Sequence, residues 1–250
     1  MSTLELFWPE KRSYLKLWSW TTETDTDYVA HIIKSIANGG RDHSLRVLTA
    51  RIGAHKTDMT IPKSNRDEKT LPAIVKMAQT PEQIATLERE AAMYRVLKKV
   101  QGRAVPKIYG HFRGRVDGKE IQCLLMQYGK PPFMGDRDYI GRYNMDAIYA
   151  IHASGIVHGD LLDERHMIES RNTIMVVDLS TATTHRCMHG QKVMGRDGVC
   201  RIAKCPEVAA LEEKYGSYYD LWISAGGGHG LLSPCFENAR SPTVEMTLLW

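Results

Sequence analysis

The sequence predicts an α+β fold in two parts, a β-rich first half and a smaller helical second half. Three observations predict it. Five apolar or alternating stretches between residues 28 and 127 read as strands, with one well-capped helix between the third and the fourth. Gly129 and Pro131-Pro132 then punctuate the chain at a boundary between the parts. Beyond it, Ile140, Tyr143, Ile148 and Ile151 recur at helical spacing within Asp138 to Ala153.

Residues 1–26 are polar and mixed, with Trp8, Trp18 and Trp20, and read as an N-terminal extension packed by its aromatics. Tyr28 to Ile36 and Leu45 to Ile52 read as a hairpin around the turn signal Asn38-Gly39-Gly40. That turn reads equally as an ordinary connection and as backbone amides able to approach a phosphate. Residues 55–70 are charged and loop-like, and Leu71 to Ala78 is an apolar strand interrupted by Lys76. A lysine inside such a strand is either snorkelling or paired.

Thr80-Pro81-Glu82-Gln83 starts a helix, with Thr80 as cap, Pro81 in the first turn and Gln83 completing a capping box. The helix is expected to run to about Val100, with Gly102 as its stop. Ile84, Leu87, Ala91, Tyr94 and Leu97 form its packing face, and Glu90 edges that face, where an acid needs a cation; Lys76 is the available one. Glu88 points elsewhere and reads as solvated. Val105 to Phe112 and Glu120 to Gln127, joined at Val116-Asp117-Gly118, complete a five-stranded antiparallel sheet.

Bulk properties narrow the function. Among 250 residues, 43% apolar and 25% charged content is ordinary for a globular protein. The net charge of +4 comes from dispersed bases without interleaved aromatics, which argues against nucleic-acid binding. No apolar run reaches membrane-spanning length, and the charged N-terminus lacks the apolar core of a signal peptide. Five cysteines, an odd number unevenly spread, fit reduced thiols, so a cytoplasmic protein away from membranes is expected.

The chemistry concentrates in residues 151–180. Asp160 follows His158-Gly159 at a helix end, and Asp178 ends the apolar strand Ile174 to Val177. Two acids 18 residues apart can flank one pocket, one orienting a hydroxyl and the other holding a metal. Phosphoryl transfer needs those two roles, because its catalysis is mostly positioning and charge neutralisation.

His158-Gly159-Asp160-Leu161 resembles the His-Arg-Asp-Leu loop of protein kinases, and Asp178-Leu179-Ser180 resembles their Asp-Phe-Gly. Gly159 resembles small-molecule phosphotransferases of the aminoglycoside and choline kinase type, and the whole chain looks most like divergent fungal kinase-like proteins. Cys205-Pro206-Glu207 and Asp220-Leu-Trp222 faintly resemble later kinase motifs.

The resemblance implies a bilobal protein-kinase-like fold with a shortened helical C-lobe. Residues 27–129 would form the N-lobe, and residues 130–250 a truncated C-lobe with a non-matching tail after about 226. It implies ATP with Mg²⁺ or Mn²⁺ as cofactor and a protein hydroxyl as acceptor. Asp160 would be the base, Lys76 the phosphate ligand and Glu90 its positioner. Asp178 would bind metal, with His166 a second ligand. Gly39 and Gly40 would cover the phosphates, and Gln127 and Tyr128 the adenine. The chain departs from the pattern in lacking the glycine-rich loop, in Ser180 for Gly, in Arg165 where an Asn is expected, and in its short C-lobe. A pseudokinase acting as a binding or scaffold module and a small-molecule hydroxyl kinase are the alternatives.

A competing constellation is His185-x-Cys187-x-His189 with Cys200 and Cys205. Alternate residues on a strand share a face, so these zinc-capable groups can converge, or be ordinary loop residues.

Overall fold

The computed structural model describes residues 2–11, 13–19, 26–37, 45–54, 70–132, 137–194 and 200–216. In chain order the elements are β1 (Thr3–Trp8), β2 (Ser13–Ser19), β3 (Tyr28–Ala37), β4 (Arg46–Ala54), β5 (Leu71–Ala78), α1 (Pro81–Val96), β6 (Ile108–Val116) and β7 (Lys119–Gln127). After them come α2 (Arg137–Ala153), β8 (Ile156–Val157), β9 (Met167–Ser170), β10 (Thr173–Val176), β11 (Thr183–Thr184), β12 (Lys192–Met194), β13 (Cys200–Ile202) and α3 (Pro206–Tyr215). They fall into two compact units, one holding the chain to Pro132 together with His158–Thr183, the other Phe133–Val157 with the chain from Thr184 onward.

The first unit is a closed seven-stranded barrel in the order β1-β2-β6-β7-β5-β4-β3. This corrects the expected fold. An open five-stranded sheet in a bilobal, kinase-like molecule is replaced by a barrel, and the described residues hold only three α-helices. The physical reason lies at residues 3–19. Leu4 and Leu6 alternate with Thr3 and Glu5, and Leu15 and Leu17 with Lys16, which is the period of a half-buried strand. They pair as β1 and β2 within the barrel, where an extension was expected.

Closure comes from β1 running parallel to β3, Leu4 opposite Tyr28 and Leu6 opposite Ala30. On its other side β2 meets β6 only at Trp18–Arg113 and Ser19–Phe112. Gly114 permits that approach, because a Cβ there would lie 2.6 Å from the Leu17 side chain. The lumen is filled by Leu4, Leu6, Leu17, Leu48, Ile52, Val75, Met77, Phe112, Ile121 and Leu125 with smaller neighbours, as a small barrel requires.

Period two then fixes the outer face. On β5, Ala73, Val75 and Met77 point inward, so Ile74, Lys76 and Ala78 point outward. α1 lies over that face with Leu87, Glu90, Ala91 and Tyr94 buried. Thr80 accepts from the Gln83 amide and the Gln83 side chain returns to the Thr80 amide, forming the expected capping box. The helix ends at Val96, short of the expected Val100, where a 3-10 turn takes over. Glu88 is not simply solvated, since Gln122 of β7 donates to it at 2.9 Å. The β6–β7 turn places Asp117 and Gly118 at φ 51° and 75°, the conformation a tight two-residue hairpin demands.

β9 and β10 form a hairpin in the first unit, with Ile174 opposite Glu169. In the second unit α2 packs with α3, and β12 pairs with β13.

Candidate functional site

Lys76, Glu90 and Asp178 come from three separate elements of the first unit and meet at one point. The Lys76 ammonium donates to Glu90 Oε1 at 2.7 Å and Oε2 at 2.9 Å, across 14 residues of sequence. It also donates to Asp178 Oδ1 at 3.3 Å, across 102 residues. The Glu90 side chain is 0% exposed and that of Lys76 9%, whereas Asp178 is 43% exposed. A buried lysine paired with a buried carboxylate is a fixed positive group with its charge compensated. Asp178 is the member that faces outward.

The electrostatics follow from that arrangement. Burial works against the Lys76 charge, but Glu90 and Asp178 outweigh it and hold the ammonium pKa above its ordinary value. Burial pushes the Glu90 carboxyl above its ordinary value despite Lys76, with the Leu179 amide adding a hydrogen bond. Burial also opposes ionisation of Asp178, yet Lys76, the Ser180 hydroxyl and His166 together hold its pKa below the usual carboxylate value.

Asp178 sits at φ 65°, ψ 63°, in the left-handed region. Aspartate tolerates that region better than most residues, and such a conformation persists only where its surroundings over-determine it. Here β10 precedes it and a 3-10 turn, Leu179–Thr181, follows immediately.

The loop carrying Asp160 is held against the same strand end. The buried His158 ring donates from Nε2 to the Val177 carbonyl at 3.0 Å, and its Nδ1 accepts the Asp160 amide at 3.3 Å. Those two bonds fix one neutral tautomer. Thr181 donates to the His158 carbonyl at 3.0 Å. Gly159, at φ 88°, adopts a backbone turn that side-chain-bearing residues rarely adopt. The Asp160 carboxylate is left 57% exposed.

His166 stands between the two acids. Its Nε2 lies 3.1 Å from Asp160 Oδ2 and its Nδ1 3.9 Å from Asp178 Oδ2. The neighbouring carboxylate of Asp163 is committed to Arg165, whose Nε donates to it at 2.8 Å. Arg165 itself points into solvent.

The positions expected to surround a nucleotide are less uniform. Gln127 is occupied: it accepts the Lys107 amide at 3.1 Å and donates to Ser170 at 3.0 Å. Tyr128 is half-buried beside it. Gly129 has no room for a side chain, because a Cβ would lie 2.5 Å from Ile168, and Lys130 bridges Glu169 through paired backbone bonds of 2.9 and 2.7 Å. Gly39 and Gly40 lie outside the described residues.

The thiol–imidazole constellation assembles in the second unit, with a different membership. His185, Cys187 and Cys205 join His152, the four ligand atoms all within 4.8 Å of one another. His189 turns instead to Glu212 at 3.2 Å, and the Cys200 side chain lies outside the described residues. His152 was not anticipated. Its only signal in the sequence is a histidine in the last turn of a helix whose other inward residues are mostly apolar, with Asn144 the buried polar exception.

No family model matches the chain and no curated protein is similar to it. With the closed barrel and only three α-helices among the described residues, this overturns the kinase-family resemblance: the motifs that carried it are short, and the fold around them is a different one.

Proposed function

We propose that the first unit carries an ATP-dependent phosphotransferase site acting on hydroxyl groups, with protein hydroxyls as the favoured acceptors. The observation supporting it is the convergence of a buried, paired ammonium with two outward-facing carboxylates, Asp178 and Asp160, bridged by His166.

The residues fit a metal–nucleotide. Mg²⁺ is commonly held by one or two carboxylates plus the phosphates themselves, and Asp178 is a half-exposed carboxylate beside a cation. The bound nucleotide would supply the phosphoryl group. Lys76 would take a phosphate oxygen with the N–H it now gives to Asp178, while Glu90 keeps it in place. Asp178 would turn its freed oxygen to the metal. Asp160, oriented by the His158 tautomer, would accept the hydroxyl proton, and its exposure suits a hydroxyl presented on a macromolecule. Free thiols at Cys123, Cys187 and Cys205 suit a reducing, cytoplasmic setting.

A second reading is a nucleotide-binding module without turnover. It is favoured by Asp163 being tied to Arg165, which leaves one carboxylate and an imidazole for the metal. Imidazole suits Mn²⁺ better than Mg²⁺.

The test is melting of the full chain with ATP alone, ATP plus Mg²⁺ and ATP plus Mn²⁺, together with transfer of labelled γ-phosphate to a generic protein acceptor. A ligand at 100 times its Kd stabilises the fold by about 2.7 kcal/mol. The expected result is a shift that is larger with Mn²⁺ and is lost in Asp178→Asn. Absence of any shift removes both readings; a shift without transfer selects the second.

A further inference from the structure

We infer that the second unit holds a structural zinc ion on His152, His185, Cys187 and Cys205. The four come from three segments: the last turn of α2, the chain that follows β11, and the residue capping α3.

Two of the ligand-to-ligand distances are those of a tetrahedron around one point. With Zn–N near 2.05 Å and Zn–S near 2.3 Å, tetrahedral edges should be about 3.3 Å for N···N and about 3.6 Å for N···S. His152 Nδ1 lies 3.1 Å from His185 Nε2 and 3.6 Å from Cys205 Sγ. Cys187 completes the set within the same 4.8 Å limit.

The surroundings are those of ligands held in place. His152 presents Nδ1 to the cluster, and its opposite nitrogen, Nε2, donates to Glu207 Oε2 at 2.7 Å. A carboxylate behind a ligating histidine fixes the tautomer that leaves the other nitrogen bare. Cys205 gives its amide to His189 Nδ1 at 3.2 Å, and His189 is anchored on Glu212. The His185 amide donates to the Gly155 carbonyl at 2.8 Å, tying its segment to the end of α2. His152 and Cys205 are buried, and His185 and Cys187 half-buried.

Two nitrogens and two sulfurs with no oxygen donor select zinc over magnesium or calcium, and four protein ligands leave no open position for catalysis. On binding, the two thiols release their protons and become thiolates, so Zn²⁺ with two thiolates is neutral. The ion would clamp α2, the segment after β11 and α3 into one unit, much as a disulfide would. This inference is independent of the phosphotransferase reading, because its residues are disjoint from that site.

The experiment uses the full chain purified with a thiol reductant. Metal content by mass spectrometry should give one zinc per chain. Replacement by Co²⁺ should produce the visible d–d bands and thiolate-to-metal absorption of a tetrahedral Co²⁺ site. Glu207→Gln should keep that spectrum while weakening metal affinity about 10–100-fold. Cys187→Ser and Cys205→Ser should abolish the spectrum. Because either serine variant can misfold, His189→Ala and His152→Ala serve as the discriminating pair. Loss in the second with retention in the first is expected; the reverse overturns the ligand set. Wild-type chain with neither stoichiometric zinc nor a tetrahedral Co²⁺ spectrum overturns the site itself.

Discussion

The Lys76 cluster of the first unit and the His152 cluster of the second are both assembled from groups far apart in the chain, yet they compensate charge in different ways. Lys76 and Glu90 are fixed charges of opposite sign, already paired, with a third charge facing outward. His152, His185, Cys187 and Cys205 offer imidazole and thiol groups with no fixed charge among them, arranged so that their donor atoms converge. The first needs no added ion to be satisfied. The second would take up a dication in exchange for its two thiol protons and so stay neutral overall. Proximity of titratable groups is therefore not one kind of observation: hard oxygen donors beside an ammonium suit phosphate and Mg²⁺ or Mn²⁺, and soft sulfur with imidazole suits zinc.

The sharpest way to break this comparison is Asp160→Asn. Turnover should fall about 10²–10⁴-fold if the carboxylate is the base, while binding of zinc or Co²⁺ stays unchanged. Rates measured on hydroxyl acceptors, beside the Co²⁺ spectrum, check both halves. Unchanged turnover removes Asp160 from the chemistry.

Lys76→Met comes next. It leaves the Glu90 carboxylate buried without its cation, which should destabilise the fold by about 3–5 kcal/mol. Glu90 already has a raised pKa, and losing Lys76 raises it further. The deficit is therefore largest at neutral pH and shrinks as pH falls and Glu90 takes up a proton. Denaturant melts at two pH values read this, and Lys76→Met with Glu90→Leu should recover part of the loss. A deficit equal at both pH values would show that Glu90 is not left charged.

Gly129→Ala should cost about 1–3 kcal/mol by overpacking, since its Cβ would meet Ile168 at 2.5 Å. Gly118→Ala, where nothing lies within 4 Å, tests backbone strain without a clash. A larger loss at Gly118 would show that conformation, not packing, dominates.

The smallest effect is electrostatic. The Asp178 pKa is lowered in the folded protein, so its ionisation stabilises the fold above the unfolded value, near 3.9. That contribution fades as pH falls through the folded value below it. The stability difference between wild type and Asp178→Asn should therefore narrow in acid. A difference that widens below pH 4 would contradict the sign.

Much of the first site was legible in the sequence because each member carried a local signal. Lys76 interrupts an apolar strand, Thr80 and Gln83 make a capping box, Glu90 edges an apolar helix face, and Asp178 follows a buried run. The fold was less legible. Leu4, Leu6, Leu15 and Leu17 alternate plainly, but which strand β1 should join is decided by a parallel pairing with β3 that no local pattern specifies. His152 was hidden for the same reason, because it joins His185 across 33 residues. Motif spacing suggested His189 in its place, and the fold turned that ring toward Glu212.

The join between β2 and β6 rests on two residue pairs, while β1 is paired along six residues of β2. A barrel opens where its ladder is shortest, so amide hydrogens of β2 and β6 near Trp18 and Arg113 should exchange with solvent sooner than those of β4 or β5. Such opening would bare a strand edge able to recruit a neighbouring chain. Lys16, midway along β2 and salt-bridged to Glu5 at 3.0 Å, puts a charge on that edge, one of the devices by which proteins discourage unwanted strand addition.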